Sequence, residues 1–174
     1  MTLLAGDGLV VRALAGDDVP LLARWRADER IETWWEGPTD EAGVRAKYVG
    51  NAERAHITHA VAERDGVPVG YVQWYAAPEV GGVGAWAVDV HVDPDLIGSG
   101  VGSRLVRLVA RHLRATVAER VVIDPAPHNA RAIRAYEKAG FVALRETPEA
   151  LVMVLADGTP ERAYCASRDG GDGE

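Results

Sequence analysis

Apolar positions change period along this chain, and each change marks an element. Leu9-Val10-Val11-Arg12-Ala13-Leu14 reads as a first strand. From Asp17 the spacing turns helical: Asp17 is expected to cap, Pro20 sits in the first turn, and Leu21, Leu22 and Trp25 share one face. Pro38-Thr39-Asp40-Glu41 predicts a second helix running to about Asn51. Ile57 to Ala62 and Val67 to Tyr75 read as strands joined by Asp65-Gly66, a dipeptide that accepts the positive φ of a tight hairpin. Gly81, Gly82 and Gly84 open a loop, and strict alternation follows from Trp86. Val88, Val90 and Val92 fall on one side, Asp89, His91 and Asp93 on the other, which predicts a strand with one apolar and one polar face.

Beyond Gly98-Ser99-Gly100-Val101-Gly102 the period is helical again, with Leu105, Leu108, Val109 and His112/Leu113 on one face. Val121-Val122-Ile123 predicts a short buried strand. Asn129 is placed to cap a further helix, in which Ile133 and Tyr136 lie one turn apart and Gly140 supplies the stop. Phe141 to Arg145 and Leu151 to Leu155 complete the sheet. The order predicts one α/β (α+β) domain over residues 1–158, and the Arg-, Asp- and Gly-rich residues 159–174 are expected to be a mobile tail.

Composition narrows the function classes. At 174 residues, 48% apolar and 26% charged, the chain has the make-up of a globular protein with one core, which excludes disorder as its main state. No apolar run is long enough to span a membrane. The start has no basic region followed by an apolar stretch, so a secretory signal is not expected and a cytoplasmic location is. Cys165 is the sole cysteine, and no residue cluster suggests a metal site. Twenty-six acids against 19 bases give a net charge of −7, a poor basis for binding nucleic acid. Asp28, Glu29, Glu32, Glu36, Asp40 and Glu41 crowd one stretch with Arg30 as the single base, either a solvated face or a wall that attracts a cation.

The informative segment is Val92-Asp93-Pro94-Asp95-Leu96-Ile97-Gly98-Ser99-Gly100-Val101-Gly102, in which strand, turn, glycines and helix follow directly. Glycines let the main chain approach a ligand, and the unpaired amides of a helix start, at the positive end of the helix dipole, suit a pyrophosphate. No Gly-Lys-Ser/Thr follows, which excludes a Walker loop. Four strands precede the glycines, whereas a dinucleotide-binding Rossmann unit puts them after its first strand, and Val121-Val122-Ile123 stand about 20 residues further on, so that unit is excluded.

This segment resembles the signature V-x-P-x-x-[Q/R]-G-x-G-x-[G/A] of the GNAT superfamily of acyl-CoA-dependent N-acetyltransferases, departing from it at Ile97. Asn129-Ala130-Arg131-Ala132-Ile133-Arg134-Ala135-Tyr136-Glu137-Lys138-Ala139-Gly140-Phe141 resembles the family's N-x-x-A-[I/R]-x-x-Y-E-K-x-G-F. The resemblance implies a single mixed, mostly antiparallel sheet of six to seven strands, splayed between the fourth and fifth, with about four helices. It implies acetyl-CoA as co-substrate, no metal, and a site made of Val90, Val92, Ile97, Gly98, Ser99, Gly100, Val101, Gly102, Ser103, Asn129, Ala132 and Tyr136.

An amine must lose a proton before it can attack a thioester, so a base is needed close to it. Asp89 is the first candidate: it lies on the polar face just upstream of the glycines and would also attract a cationic amine. Its free pKa of ~3.9 is low for the task, so burial or a bridging water would have to help. His91, with a free pKa of ~6.5, is the rival, and Tyr136 is the candidate acid for the departing thiolate.

Within the superfamily, Glu32-Thr33-Trp34-Trp35-Glu36, Gly70-Tyr71-Val72-Gln73-Trp74-Tyr75, Asp124-Pro125-Ala126-Pro127-His128-Asn129 and Thr147-Pro148-Glu149 resemble segments of the aminoglycoside 6'-N-acetyltransferases. This implies direct transfer in a ternary complex to the 6'-amine of an antibiotic, conferring resistance, with Asp89 as the base. Trp35, Glu36, Tyr75, Glu79, Asp89, Asp124 and Glu149 are then expected to hold a small cationic amine, carboxylates pairing with ammoniums and Trp35 offering a ring face. The connection from Tyr75 to Asp89 is shorter than in those enzymes, and the interval from Asp89 to Gly98 lacks one residue, which could bring His91 into use. Lysine-type or siderophore-precursor amines, or a non-catalytic acyl-CoA sensor, are the alternatives. The protein is expected to be a monomer or homodimer.

Overall fold

A computed structural model describes residues 1–50 and 56–156. Asn51, the expected end of the second helix, and residues 159–174 lie outside the described residues. The chain runs through strands β1 (Thr2–Gly6) and β2 (Leu9–Ala13), then helices α1 (Val19–Arg26), α2 (Glu29–Glu32) and α3 (Glu41–Tyr48). Strands β3 (Thr58–Arg64) and β4 (Val67–Ala76), the one-turn helix α4 (Pro78–Gly81), β5 (Ala85–Val92), α5 (Val101–Thr116) and β6 (Arg120–Ile123) follow. Helix α6 (Ala130–Ala139), β7 (Phe141–Glu146) and β8 (Leu151–Leu155) complete it. Among the described residues, no helix is long and apolar enough to cross a membrane.

One sheet orders its eight strands β1-β2-β3-β4-β5-β6-β8-β7, so the strand count exceeds expectation by the N-terminal β1. Asp7 and Gly8 both take positive φ there, 54° and 75°, and close a hairpin as Asp65 and Gly66 do at 53° and 76°. Among the described residues, six α-helices exceed the expected four because α2 and α4 are four-residue turns. Every neighbouring pair is antiparallel except β5 and β6. That parallel pairing covers only Ala85 to Ala87 against Arg120 to Val122, so from Val88 onward β5 parts from β6. The gap gives a ligand access to the middle of the sheet.

The two faces are covered differently. Leu105, Val106, Val109, Ala110 and Leu113 press α5 onto one face, where Val72, Val88 and Val121 are buried. The other face receives α1 and α3, with Leu22, Trp25, Val44 and Tyr48 packed on Tyr71. Asp40 caps α3 by accepting from the Gly43 amide.

Asp18, rather than the expected Asp17, organises the entry to α1. It accepts two hydrogen bonds from the Arg12 guanidinium, at 2.7 and 2.8 Å, and one from the Ala15 amide at 2.8 Å. Burial pushes its carboxyl up, but the Arg12 and Ala15 bonds and the Arg12 charge outweigh this and hold it below the usual range. Arg12 also donates to Glu63 on β3. Asp18→Ala is expected to cost about 1–3 kcal/mol in denaturant unfolding at neutral pH, since it strands a part-buried guanidinium and an amide. Because the folded-state pKa is lowered, the wild-type contribution is complete above the ordinary Asp range and is lost as pH falls through the lowered value; the difference between the two proteins should shrink accordingly.

Candidate active site

The gap between β5 and β6 opens into a cleft of about 490 Å³, lined from β5, the glycine loop, α6 and the segment joining α2 to α3. Asp89, Val90, His91 and Val92 line it from the diverging half of β5, facing Asn129, Ala132 and Tyr136. Ile97, Gly98, Gly100, Gly102 and Ser103 form its wall at the start of α5.

The loop has the geometry of an anion cradle. Gly98 and Gly100 hold φ of 86° and 84°, which an L side chain would strain to adopt, and a Cβ at either would meet no protein atom within 4 Å. Gly102 differs, because a Cβ there would make an ordinary contact with Val92 at 3.6 Å. The Arg104 amide bonds to Gly100, while those of Gly102 and Ser103 have no protein partner among the described residues. Two predicted contacts do not face the cleft. Val101 is fully buried in the core, and Ser99 is exposed with its hydroxyl donating to the Leu96 carbonyl. Asn129 caps α6 by accepting from Ala132 at 3.1 Å and lines the cleft as well.

At the acidic end lies Asp89. β4 and β5 pair without a bulge from Gly70↔Val92 to Ala76↔Trp86, so the missing residue before Gly98 does not turn Asp89 away. Its carboxylate accepts from the Gln73 amide at 2.7 Å, with Tyr75 as a second hydrogen-bonding neighbour. Burial raises its pKa, and those two bonds offset part of the rise. Asp124 is pushed up to about 6, first by desolvation and then by the charge of Asp89. Burial, then the two carboxylates, raise Tyr75 and Tyr136 well above an ordinary phenol, so both keep their protons at neutral pH. Tyr136 also packs against Phe141, with ring centroids 6.5 Å apart, so core and site roles coexist.

His91 departs most from the sequence expectation. It shares a face with Asp89, yet at its position that face is not polar. The ring is 6% exposed, stacked on Tyr71 at 5.2 Å and edge-on to Trp35 and Trp25; among the described residues neither nitrogen makes a hydrogen bond of good geometry, the Val92 backbone being a weak neighbour. Burial, with the Arg26 charge adding to it, pushes its pKa down to about 3. Helices α1 and α3 cover this part of the strand, which alternation in β5 alone could not reveal.

The substrate-side candidates divide similarly. Trp35 and Glu36 line the cleft beside Asp89 and Asp124. Tyr75 touches Asp89 from behind rather than lining the opening. Glu79, on α4, and Glu149, in the turn between β7 and β8, are exposed outside the lining, though the Glu79 charge still reaches Tyr75 beside Asp89. Two residues passed over in the sequence matter. Gln73 holds Asp89, and the buried Arg26 donates to the Trp35 carbonyl at 3.0 Å and the Tyr48 hydroxyl at 3.2 Å, fixing Trp35 beneath it. The G-Y-x-Q-x-Y pattern marked Gln73; nothing in the sequence separated Arg26 from surface arginines.

Comparison with known proteins agrees with this geometry. Residues 15–148 match the family model described as an acetyltransferase (GNAT) domain. The chain is 31% identical over 154 residues to aminoglycoside N(6')-acetyltransferase type 1 of Klebsiella pneumoniae, covering 79% of this chain and 75% of that protein, and the Serratia marcescens protein of that name matches equally. The solved structure of AAC(6')-Ib with paromomycin and acetyl-CoA superposes with a TM-score of 0.76 at 29% identity, over 85% of this chain and 93% of that one. The complex of aminoglycoside acetyltransferase AAC(6')-Ib with coenzyme A and kanamycin gives 0.75 at 29% identity, over 84% and 93%. With a splayed sheet, a left-handed glycine loop at a helix start and this extent of sequence agreement, the chain belongs to the GNAT acetyltransferase family.

Proposed function

We propose that this enzyme transfers the acetyl group of acetyl-CoA to a primary amine of an aminoglycoside, the 6'-amine by analogy with its relatives, and so confers resistance. The observation that carries the reading is the buried Asp89 carboxylate beside Asp124 and Tyr136, at one end of a cleft whose other wall is the glycine loop. Acetyl-CoA supplies an activated acetyl thioester. The amides of Gly102 and Ser103, with the room left by Gly98 and Gly100, would receive its diphosphate.

In direct transfer, Asp89 accepts a proton from the substrate ammonium. The freed nitrogen then forms a bond to the acetyl carbon as the carbon–sulfur bond breaks; the Tyr136 hydroxyl would protonate the sulfur, the second proton that the nitrogen sheds on becoming an amide would restore the phenol, and Asp89 would release its proton to solvent. Burial suits both groups: it makes Asp89 more basic than a free carboxylate and keeps Tyr136 protonated. Glu36 and Asp124 supply charge for further ammonium groups, and Trp35 a ring for a sugar.

The environment of His91 supports Asp89 over the rival base. A ring that is neutral and buried among aromatic side chains suits packing, so His91→Phe is expected to keep turnover of the same order as wild type. The decisive assay offers the purified protein acetyl-CoA with kanamycin, tobramycin, lysine or N-hydroxycadaverine and follows free thiol. Release with the aminoglycosides alone supports the proposal. Release with lysine or the hydroxylated diamine alone replaces the substrate class, and none despite bound acetyl-CoA makes the protein a sensor.

A further inference from the structure

A chain of hydrogen bonds runs across three adjacent strands and ends on the proposed base. His59 Nδ1 lies 2.6 Å from the Tyr71 hydroxyl, that hydroxyl donates to Gln73 Oε1 at 2.8 Å, and Gln73 Nε2 donates to Asp89 Oδ2 at 2.7 Å. Strand register brings these groups together: His59 on β3 stands opposite Gln73 on β4, and Gln73 opposite Asp89 on β5. Tyr71, two residues before Gln73, shares its face.

The chain has a direction. An ionised carboxylate only accepts, so it takes the NH₂ end of the Gln73 amide and turns Oε1 toward Tyr71. The Tyr71 phenol has one hydrogen, and donating it to Gln73 leaves it to accept from His59, which therefore carries its hydrogen on Nδ1. The polar groups run through a buried aromatic layer in which Tyr71 is 1% exposed and His59 lies edge-on to Tyr48. In such surroundings these bonds hold the Tyr71 hydroxyl and the Gln73 amide in one arrangement.

We infer that His59, Tyr71 and Gln73 act as a relay of positioning residues that aims the Asp89 carboxylate at the substrate amine, with Gln73 as the residue in contact. The inference rests on the proposed role of Asp89. Gln73 lines the cleft, but its amide is committed to Tyr71 and Asp89, so its contribution reaches the amine through the carboxylate.

The test replaces Gln73 with Met, which keeps length and removes both polar ends, and separately replaces Tyr71 with Phe, which keeps the ring and lets the Gln73 amide turn. Losing the Gln73 donor removes a bond that favours the ionised carboxyl, so the Asp89 titration should move to higher pH in Q73M, by about one unit, with Y71F intermediate. A ¹³C-carboxyl NMR titration of the full chain, with Asp89 assigned through D89N, reads this without any substrate. The other titratable neighbours of Asp89 (Tyr75, His91, Asp124 and Tyr136) are unchanged in these variants. With kanamycin and acetyl-CoA, the acid limb of the kcat profile should move the same way, and kcat at neutral pH should fall about 10- to 100-fold while the KM for acetyl-CoA holds. An Asp89 midpoint in Q73M equal to wild type overturns the relay, as does unchanged kcat beside an inactive D89N. Turnover retained by D89N, or absent from wild type, removes the proposed function instead, and the NMR midpoint still decides the relay.

Discussion

Asp89→Asn is expected to lower kcat about 10²- to 10⁴-fold, the usual worth of a positioned base, while calorimetry finds acetyl-CoA binding close to wild type. Asn has the same shape and can still accept from Gln73, so the loss would report the missing basicity. A stability measurement should move the opposite way. Burial raises the Asp89 pKa, so the folded state holds a proton that the unfolded chain has released, and stability falls as pH rises through the interval between the two values. Asp124 behaves alike, between its ordinary 3.8 and about 6. Removing the Asp89 charge should therefore raise Tm by a few degrees at neutral pH, roughly in proportion to the buried charge relieved. A variant both inactive and more stable identifies Asp89 as a functional group held at a structural cost; full turnover removes it from the mechanism.

Gly100→Ala is expected to have the second-largest effect, on co-substrate affinity. At φ of 84° an alanine is strained by about 1–2 kcal/mol, and relief of that strain rotates the first peptide of α5. A Cβ there meets no protein atom within 4 Å and takes up open space at a position that lines the cleft. Calorimetry should show acetyl-CoA binding weakened about tenfold or more, with a Tm drop no larger than the strain implies. Gly102→Ala is the control: a Cβ there makes an ordinary contact with Val92, so binding should suffer far less. Equal effects at both positions would mean that the left-handed turn does not set the cradle.

How much of this was legible beforehand depended on the range of the interaction concerned. The hairpin at Asp65-Gly66 was readable because two adjacent residues determine it, and Asp7-Gly8 carries the same signal, so β1 could have been found by the same rule. The glycine loop was readable for a related reason: strand, turn and helix start are consecutive, and their amides need no distant partner. The helical faces of α5 and α6 followed from spacing alone, as did the capping by Asn129.

The sequence by itself thus determined most of the elements, the glycine loop at a helix start and the family, because short-range backbone geometry and residue periodicity specify them. Only the tertiary structure decided what surrounds each polar side chain. Asp89 and His91 are two residues apart on one face and both border the cleft, yet one is held by the Gln73 amide while the other is packed among Trp25, Trp35 and Tyr71. Glu79 and Glu149 have the right chemistry but lie on turns that leave them in solvent. Desolvation and hydrogen bonding depend on atoms brought together from distant parts of the chain, and those terms set Asp89 apart from the packed ring of His91.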